Sequence, residues 1–142
     1  MSFDTLPPIS LLPGSSLSVV SAREYDWSFQ FDSGIAVVAE GHWRLADDQR
    51  VLVTGEDHGQ LFGLAKPVDA ALVVQRALSG ATVQEVCFSD CSDLILQFTN
   101  ARRLEMLVSS AGYENWHVHG PDGSHTLAIG GGEVCRFGPD TE

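Results

Sequence analysis

The densest group of side chains suited to metal binding lies in one short segment, residues 116–125 of the 142-residue chain. His117 and His119 are two residues apart, so both would project from the same face of a β-strand. Asp122 or His125 would complete the site across the following turn, because imidazole and carboxylate groups are the usual protein ligands of zinc and related ions.

The same alternation also has a structural interpretation, which we favour. Trp116 and Val118 would face the core, and His117 and His119 would lie on the solvent side of their strand. A His-x-His pair also occurs in cupin metal sites, but the glycine pattern and the trailing Glu and His of that motif are missing. We therefore predict no metal and no cofactor, and keep these four metal-binding candidates as the alternative.

The remaining sequence contains no pattern typical of an enzyme. No serine stands in Gly-x-Ser-x-Gly, and the run Gly130–Gly132 lacks the Lys-Ser/Thr that a phosphate-binding loop needs. Acidic pairs such as Asp47-Asp48 and Glu56-Asp57 fall at expected turns, where aspartate is favoured for local hydrogen bonds. We predict no catalytic residues and a non-enzymatic protein.

Composition narrows the partners and the location. Nineteen Asp and Glu against eight Lys and Arg give a net charge of −11, and such a field repels nucleic acid. Lys66 is the single lysine, and no apolar run approaches the length of a transmembrane helix. The N-terminal residues lack the basic region of a signal peptide, and Cys87, Cys91 and Cys135 form no Cys-x-x-Cys pair. We expect a cytoplasmic protein with reduced thiols and without nucleic-acid or membrane partners.

The chain is predicted to be an N-terminal arm followed by one domain. Residues 1–14 carry three prolines and no periodicity, which indicates an arm on the surface. Residues 15–142 predict a single α+β domain with mostly antiparallel strands. It divides into a first half at about 15–64, a helix at about 67–79 and a second half at about 81–137. Within the first half, one strand is expected to run from Ile35 to about Leu45.

The two halves are similar to each other. A shift of 67 residues places Val19 on Val86, Asp26 on Asp93, Gln30 on Gln97 and Phe31 on Phe98. This similarity predicts two β-meanders, related by an internal duplication, around one central helix. The alternative is the pattern that any two amphipathic hairpins share.

The predicted helix is apolar on two sides. Pro67 suits its first turn and Gly80 its end. Val68 and Leu72 lie roughly opposite the apolar face that contains Val74. Such a helix is either covered on both sides within the fold, which we favour, or used in a homodimer, as an uncovered edge strand would also be.

The C-terminal half carries recognisable segments. These are Tyr113-Glu114-Asn115-Trp116, then Gly120-Pro121-Asp122-Gly123, then the glycine-rich closing hairpin around Gly130, Gly131 and Gly132. Together they resemble a family of small bacterial, mainly actinobacterial, proteins of unknown function, over about residues 15 to 137. The resemblance implies one central helix and a structural Tyr-Glu-x-Trp segment, and it implies no activity. Its members often carry other polar residues at positions 117 and 119.

Two functions of different classes follow. The leading hypothesis is an acidic protein-interaction module, for example an immunity-type protein that masks a basic toxin, because negative charge speeds association with a basic partner. The alternative is a small-molecule or metal-binding module that uses the strand of His117 and His119. Within the recognised segment, we expect Trp116 to anchor the core and Glu114 to accept hydrogen bonds from the preceding loop.

Overall fold

The computed structural model describes residues 8–138, which form eleven strands and one α-helix. The elements are β1 (Leu17–Ala22), β2 (Trp27–Phe31), β3 (Ala36–Ala39), β4 (Trp43–Ala46), β5 (Val51–Thr54), α1 (Ala70–Ala77), β6 (Val83–Phe88), β7 (Leu94–Phe98), β8 (Arg103–Met106), β9 (Trp116–His119), β10 (His125–Ala128) and β11 (Val134–Phe137). Two antiparallel sheets and one helix make the fold mostly β, which agrees with the expected antiparallel class.

Each half of the chain contributes to both sheets. The six-stranded sheet has the order β1-β2-β3-β9-β10-β11, and the five-stranded sheet has the order β5-β4-β8-β7-β6. The first half contributes β1 to β3 to the six-stranded sheet and β4 and β5 to the five-stranded sheet. The second half contributes β6 to β8 to the five-stranded sheet and β9 to β11 to the six-stranded sheet. The two halves are therefore not independent units, because β3 of the first half pairs with β9 of the second and β4 pairs with β8.

The opening hairpins of the two halves match in register. Both contain a β-bulge near their open end, and Val20 opposite Phe29 corresponds to Val86 opposite Leu96. Val20 rather than Val19 is therefore the structural counterpart of Val86. The offset changes within the hairpin because the turn at 89–93 contains one residue more than the turn at 23–26.

The strand expected from Ile35 to about Leu45 is two strands in different sheets. β3 ends at Ala39, and β4 begins at Trp43. The connection passes through Gly41, where a Cβ would lie 2.6 Å from the Ser109 hydroxyl. Apolar residues alternate on both sides of the break, so periodicity alone does not reveal it.

The helix lies beside the sheets rather than between two halves. It packs against β1 and β5, the outermost strands at one edge of each sheet. It begins after Asp69, whose carboxylate accepts a hydrogen bond from the Leu72 amide, and not in the turn of Pro67. Val74 is buried and Leu72 is 38% exposed, so one apolar side of the helix faces the core.

The N-terminal segment is not a surface arm where the structure describes it. Ile9 and Leu12 are completely buried in the core. The Gly14 amide donates to the Val83 carbonyl at 2.7 Å, which ties the segment to β6. Residues 1–7 of the predicted arm lie outside the described residues. Between residues 8 and 138, no helix has the length and hydropathy needed to cross a membrane.

The inner faces of the two sheets share one hydrophobic core. Its large, fully buried side chains are Phe29, Trp43, Leu45, Leu94, Leu96, Phe98, Leu104, Met106 and Trp116. Aromatic contacts join the sheets, with Phe29 and Trp43 at a ring distance of 5.1 Å and Phe88 and Trp116 at 5.9 Å. This core fixes the outer face of each sheet, where the polar residues lie.

Candidate functional site

The outer face of β9, β10 and β11 carries a row of rings. Trp116 and Val118 of β9 are buried, while His117 and His119 alternate with them. His119 pairs in register with His125 of β10, and these two rings stack at 5.7 Å. The structure therefore brings three of the four predicted ligands onto one face.

Two carboxylates approach the first of these histidines. Nε2 of His117 lies 2.8 Å from an oxygen of Glu40 and 3.1 Å from an oxygen of Glu114. One ligand atom from each of these residues lies within 4.8 Å of the other two. We call Glu40, Glu114 and His117 the Glu–His cluster. Its members come from the β3–β4 connection, the loop before β9, and β9 itself.

The electrostatics of the Glu–His cluster are unbalanced. Partial burial raises the pKa of Glu40 and the neighbouring Glu114 raises it further, while His117 acts in the opposite direction. The Glu40 side chain is 28% exposed and that of Glu114 is 48% exposed. The cluster therefore holds two acidic groups close together, and one imidazole nitrogen contacts both.

A cavity of about 410 Å³ adjoins the cluster. Its lining combines the histidines with apolar groups of β10 and β11, among them Leu127, Cys135 and Phe137. His125 stacks on Phe137 at 4.5 Å. Burial together with the two neighbouring histidines lowers the pKa of His119, which favours its neutral form. We call this the histidine cavity, after the three imidazole groups that line it together with Glu114.

Asp122 does not join the histidines. Its carboxylate accepts hydrogen bonds from the amide and the hydroxyl of Ser124, and the hydroxyl contact chiefly lowers the pKa of Asp122. It thus closes the β9–β10 turn. Asp47 likewise accepts from the amides of Gln49 and Arg50, as expected for an aspartate in a turn.

Asn115 shapes the loop that presents Glu114. It is 1% exposed, and its carbonyl oxygen accepts from the amides of Ser109 and Ser110. Its amide group donates to the Ile129 carbonyl at 3.1 Å. The loop amides expected to bind Glu114 thus bind Asn115, and Glu114 is available to His117. Sequence reasoning assigned neither Asn115 nor Glu40 a role.

The recognised segments have distinct positions. Trp116 is fully buried, as expected of a core anchor, whereas Tyr113 is 82% exposed. The glycine run forms a tight turn between β10 and β11. Gly132 has a φ of 89°, and a Cβ there would lie 2.3 Å from the Cys91 carbonyl oxygen, so only glycine fits. A Cβ at position 130 would lie 2.4 Å from the Ala111 carbonyl oxygen, so Gly130 is similarly restricted.

Comparison with known proteins gives a family and no activity. No curated protein matches the chain, and no solved structure matches it. A model of a family of unknown function, DUF6188, matches residues 12–138, a range that includes both the Glu–His cluster and the glycine run. Since the match covers nearly the whole chain, the protein belongs to this family of unknown function, DUF6188.

Proposed function

We propose that the protein is a metal-binding module and that the Glu–His cluster holds one divalent transition-metal ion. The convergence of three ligand atoms within 4.8 Å, from three separate segments of the chain, is the observation that supports this most. An imidazole nitrogen with carboxylate oxygens suits ions such as zinc.

Two further features favour a cation at this place. A bound cation would relieve the repulsion between Glu40 and Glu114, the same repulsion that contributes to the raised pKa of Glu40. Three protein ligands would also leave a coordination position open toward further ligands. The adjoining histidine cavity would receive such a ligand.

Metal titration tests this proposal. Metal-free protein is titrated with Zn²⁺ in a calorimeter, and we expect one ion per chain. His117→Gln should weaken binding by more than about tenfold, because even loss of a group that only orients a ligand costs about 10–100-fold. Co²⁺ then reports the donor atoms by absorption, and we expect nitrogen and oxygen ligands.

The chain offers a matched control. His42 and Glu56 form an exposed His–Glu pair that belongs to no three-residue ligand group within the described residues. His42→Gln should leave Zn²⁺ affinity unchanged. Equal affinity of His117→Gln and the wild type would overturn the proposal. A Co²⁺–thiolate band would do the same, since it would place the ion on one of the cysteines instead of on the Glu–His cluster.

We propose as a second function that the acidic surface binds a basic protein, in the manner of a toxin–immunity pair. The net charge of −11 and a cavity lined by Glu24, Asp26, Glu40 and Glu56 favour it. Association with the partner should slow markedly as ionic strength rises, because charge steers the encounter. Salt-independent association would contradict it.

Bacterial origin, a cytoplasmic location and homodimer formation stay predictions. Light scattering tests homodimer formation.

We also propose that the matching halves arose by internal duplication. The shared strand order, the bulge and the register of the opening hairpins support it, as does a buried tryptophan at the start of both β4 and β9. Aligning the halves across family members tests it. Halves no more alike than shuffled sequences would speak against a common origin.

A further inference from the structure

A second cavity, of about 440 Å³, lies beside Trp43 and the β1–β2 turn. Trp43 is 1% exposed, and its indole N–H is the buried side-chain group without a hydrogen-bond acceptor in the described part of the chain. A buried N–H without an acceptor is unfavourable and rare in folded proteins. We call this space the Trp43 cavity.

The other half of the molecule shows how the same position is satisfied. Trp116 begins β9 as Trp43 begins β4, and its indole N–H donates to the Ser92 carbonyl at 2.9 Å. Ser92 lies in the β6–β7 turn, which corresponds to the β1–β2 turn, and has a φ of 68°. The second half therefore supplies from its own chain the acceptor that Trp43 lacks, and the shorter turn leaves a cavity instead.

The lining of the Trp43 cavity indicates the charge of its ligand. Its acidic residues are Glu24, Asp26, Glu40 and Glu56, and its basic residue is Arg23. Asp26 is paired with Arg23, Glu40 with His117 and Glu56 with His42, so Glu24 is the carboxylate of the lining without a pair described above. Two further aromatic side chains, Tyr25 and Trp27, also line the cavity. Acidic groups beside aromatic faces favour an ammonium or guanidinium group, through ion pairing and cation–π contact.

The geometry points to a peptide ligand in particular. We propose that the Trp43 cavity binds a lysine or arginine side chain of a basic protein, with a main-chain carbonyl of that protein accepting from the Trp43 indole. The inference rests on the second function proposed above and gives its partner a chemistry. Gly55 lies against the indole, since a Cβ there would come within 2.7 Å of Nε1. The indole nitrogen is covered in the ligand-free chain, so the proposed carbonyl contact requires the Gly55 backbone to move away from it.

Indole N–H signals in NMR test this directly. The chain has three tryptophans, whose ¹⁵N–¹H signals are assigned with single Trp→Phe variants. The probe is acetyl-Gly-Arg-Gly-amide, and the control peptide carries citrulline, a neutral group of the same shape. We expect the arginine peptide to move the Trp43 signal downfield and to leave the Trp116 signal in place, because Trp116 already has its acceptor.

Variants separate the cavity from general acidity. The double variant Glu24→Gln/Glu56→Gln should weaken peptide binding by about tenfold or more, whereas Glu85→Gln, an equivalent change at an exposed position of β6, should have no effect. Failure of the arginine peptide to bind would overturn the inference. An equal response to the citrulline peptide would overturn the cationic ligand.

Two other outcomes distinguish this inference from the function on which it rests. If the arginine peptide binds without moving the Trp43 signal, the cavity is not the site, while an acidic interaction surface remains. If free arginine binds as tightly as the peptide, the ligand is a small cation and not a protein.

Discussion

The outer faces of the two sheets carry clusters of charged side chains at equivalent positions. Only the cluster of the five-stranded sheet has enough positive charge to neutralise its carboxylate. In the five-stranded sheet, Arg44 of β4 pairs in register with Glu105 of β8. At the same place in the six-stranded sheet, His117 of β9 pairs with Val38 of β3. His117 takes its carboxylate partners from outside the strands.

This difference separates a structural ion pair from a candidate site. Glu105 is 5% exposed and is bound by Arg44 and Arg103, whose guanidinium groups are always charged. The Glu–His cluster reverses the ratio, since two carboxylates share one imidazole. A buried carboxylate with two cations needs nothing further, whereas two carboxylates with one titratable partner favour an added cation.

The largest expected effect comes from removing the tryptophan that begins β4 or β9. Trp43→Ala and Trp116→Ala should each lower the free energy of unfolding by about 3–5 kcal/mol, because both side chains are fully buried. Urea unfolding followed by circular dichroism measures this. An unchanged midpoint for either variant would show that this end of the core does not depend on its tryptophan.

The next effect should appear in the five-stranded sheet and not in the six-stranded sheet. Glu105→Gln removes a buried charge from two guanidinium groups and should lower the free energy of unfolding by about 2 kcal/mol. Glu40→Gln should not lower it in metal-free protein, because the surroundings of Glu40 disfavour its charged form. Thermal unfolding in a chelator compares both variants with the wild type.

Zn²⁺ should then make the wild type more stable than Glu40→Gln. A ligand at about 100 times its Kd stabilises the folded state by about 2.7 kcal/mol. In the presence of Zn²⁺, the free energy of unfolding of the wild type should therefore exceed that of Glu40→Gln. If Glu40→Gln destabilises metal-free protein as much as Glu105→Gln does, the Glu–His cluster is a structural ion pair and the contrast fails.

A single strand can be predicted from sequence because its signal is local. The alternation of Trp27, Phe29 and Phe31 with polar residues predicts β2 correctly, since one face of the strand meets the core. The assignment of strands to sheets has no such signal. β3 and β4 share one alternating pattern across Gly41, and only the close approach to Ser109 marks the crossing.

Part of the candidate site could be predicted from sequence for the same reason. His117 and His119 are neighbours on one strand, so their spacing predicts a shared face. Glu40 is distant in the sequence and approaches His117 only because β3 pairs with β9. Glu114 was assigned to the preceding loop, and its actual partner depends on Asn115 binding that loop instead. Contacts of this kind depend on topology, which periodicity does not encode.

A smaller difference should separate the two tryptophans when only the N–H is removed. Trp116→Phe leaves the Ser92 carbonyl without its donor, whereas Trp43→Phe removes an N–H that has no acceptor among the described residues. Both variants lose similar ring volume, so Trp116→Phe should be the less stable by about 1 kcal/mol. Denaturant midpoints at an unchanged m-value measure this. Equal midpoints would mean that Trp43 finds an acceptor in solution, such as water.

The smallest effect on stability is expected at the two exposed tyrosines, Tyr25 at 85% and Tyr113 at 82% exposure. Either Tyr→Ala change should alter the free energy of unfolding by less than about 0.5 kcal/mol, because little ring surface is buried. Binding should distinguish them. Tyr25 lines the Trp43 cavity, so Tyr25→Ala should lower the affinity for the arginine peptide, while Tyr113→Ala should leave that affinity unchanged. Equal affinities for both variants would remove Tyr25 from the cation-binding surface and leave the charge of the acidic residues as its source of selectivity.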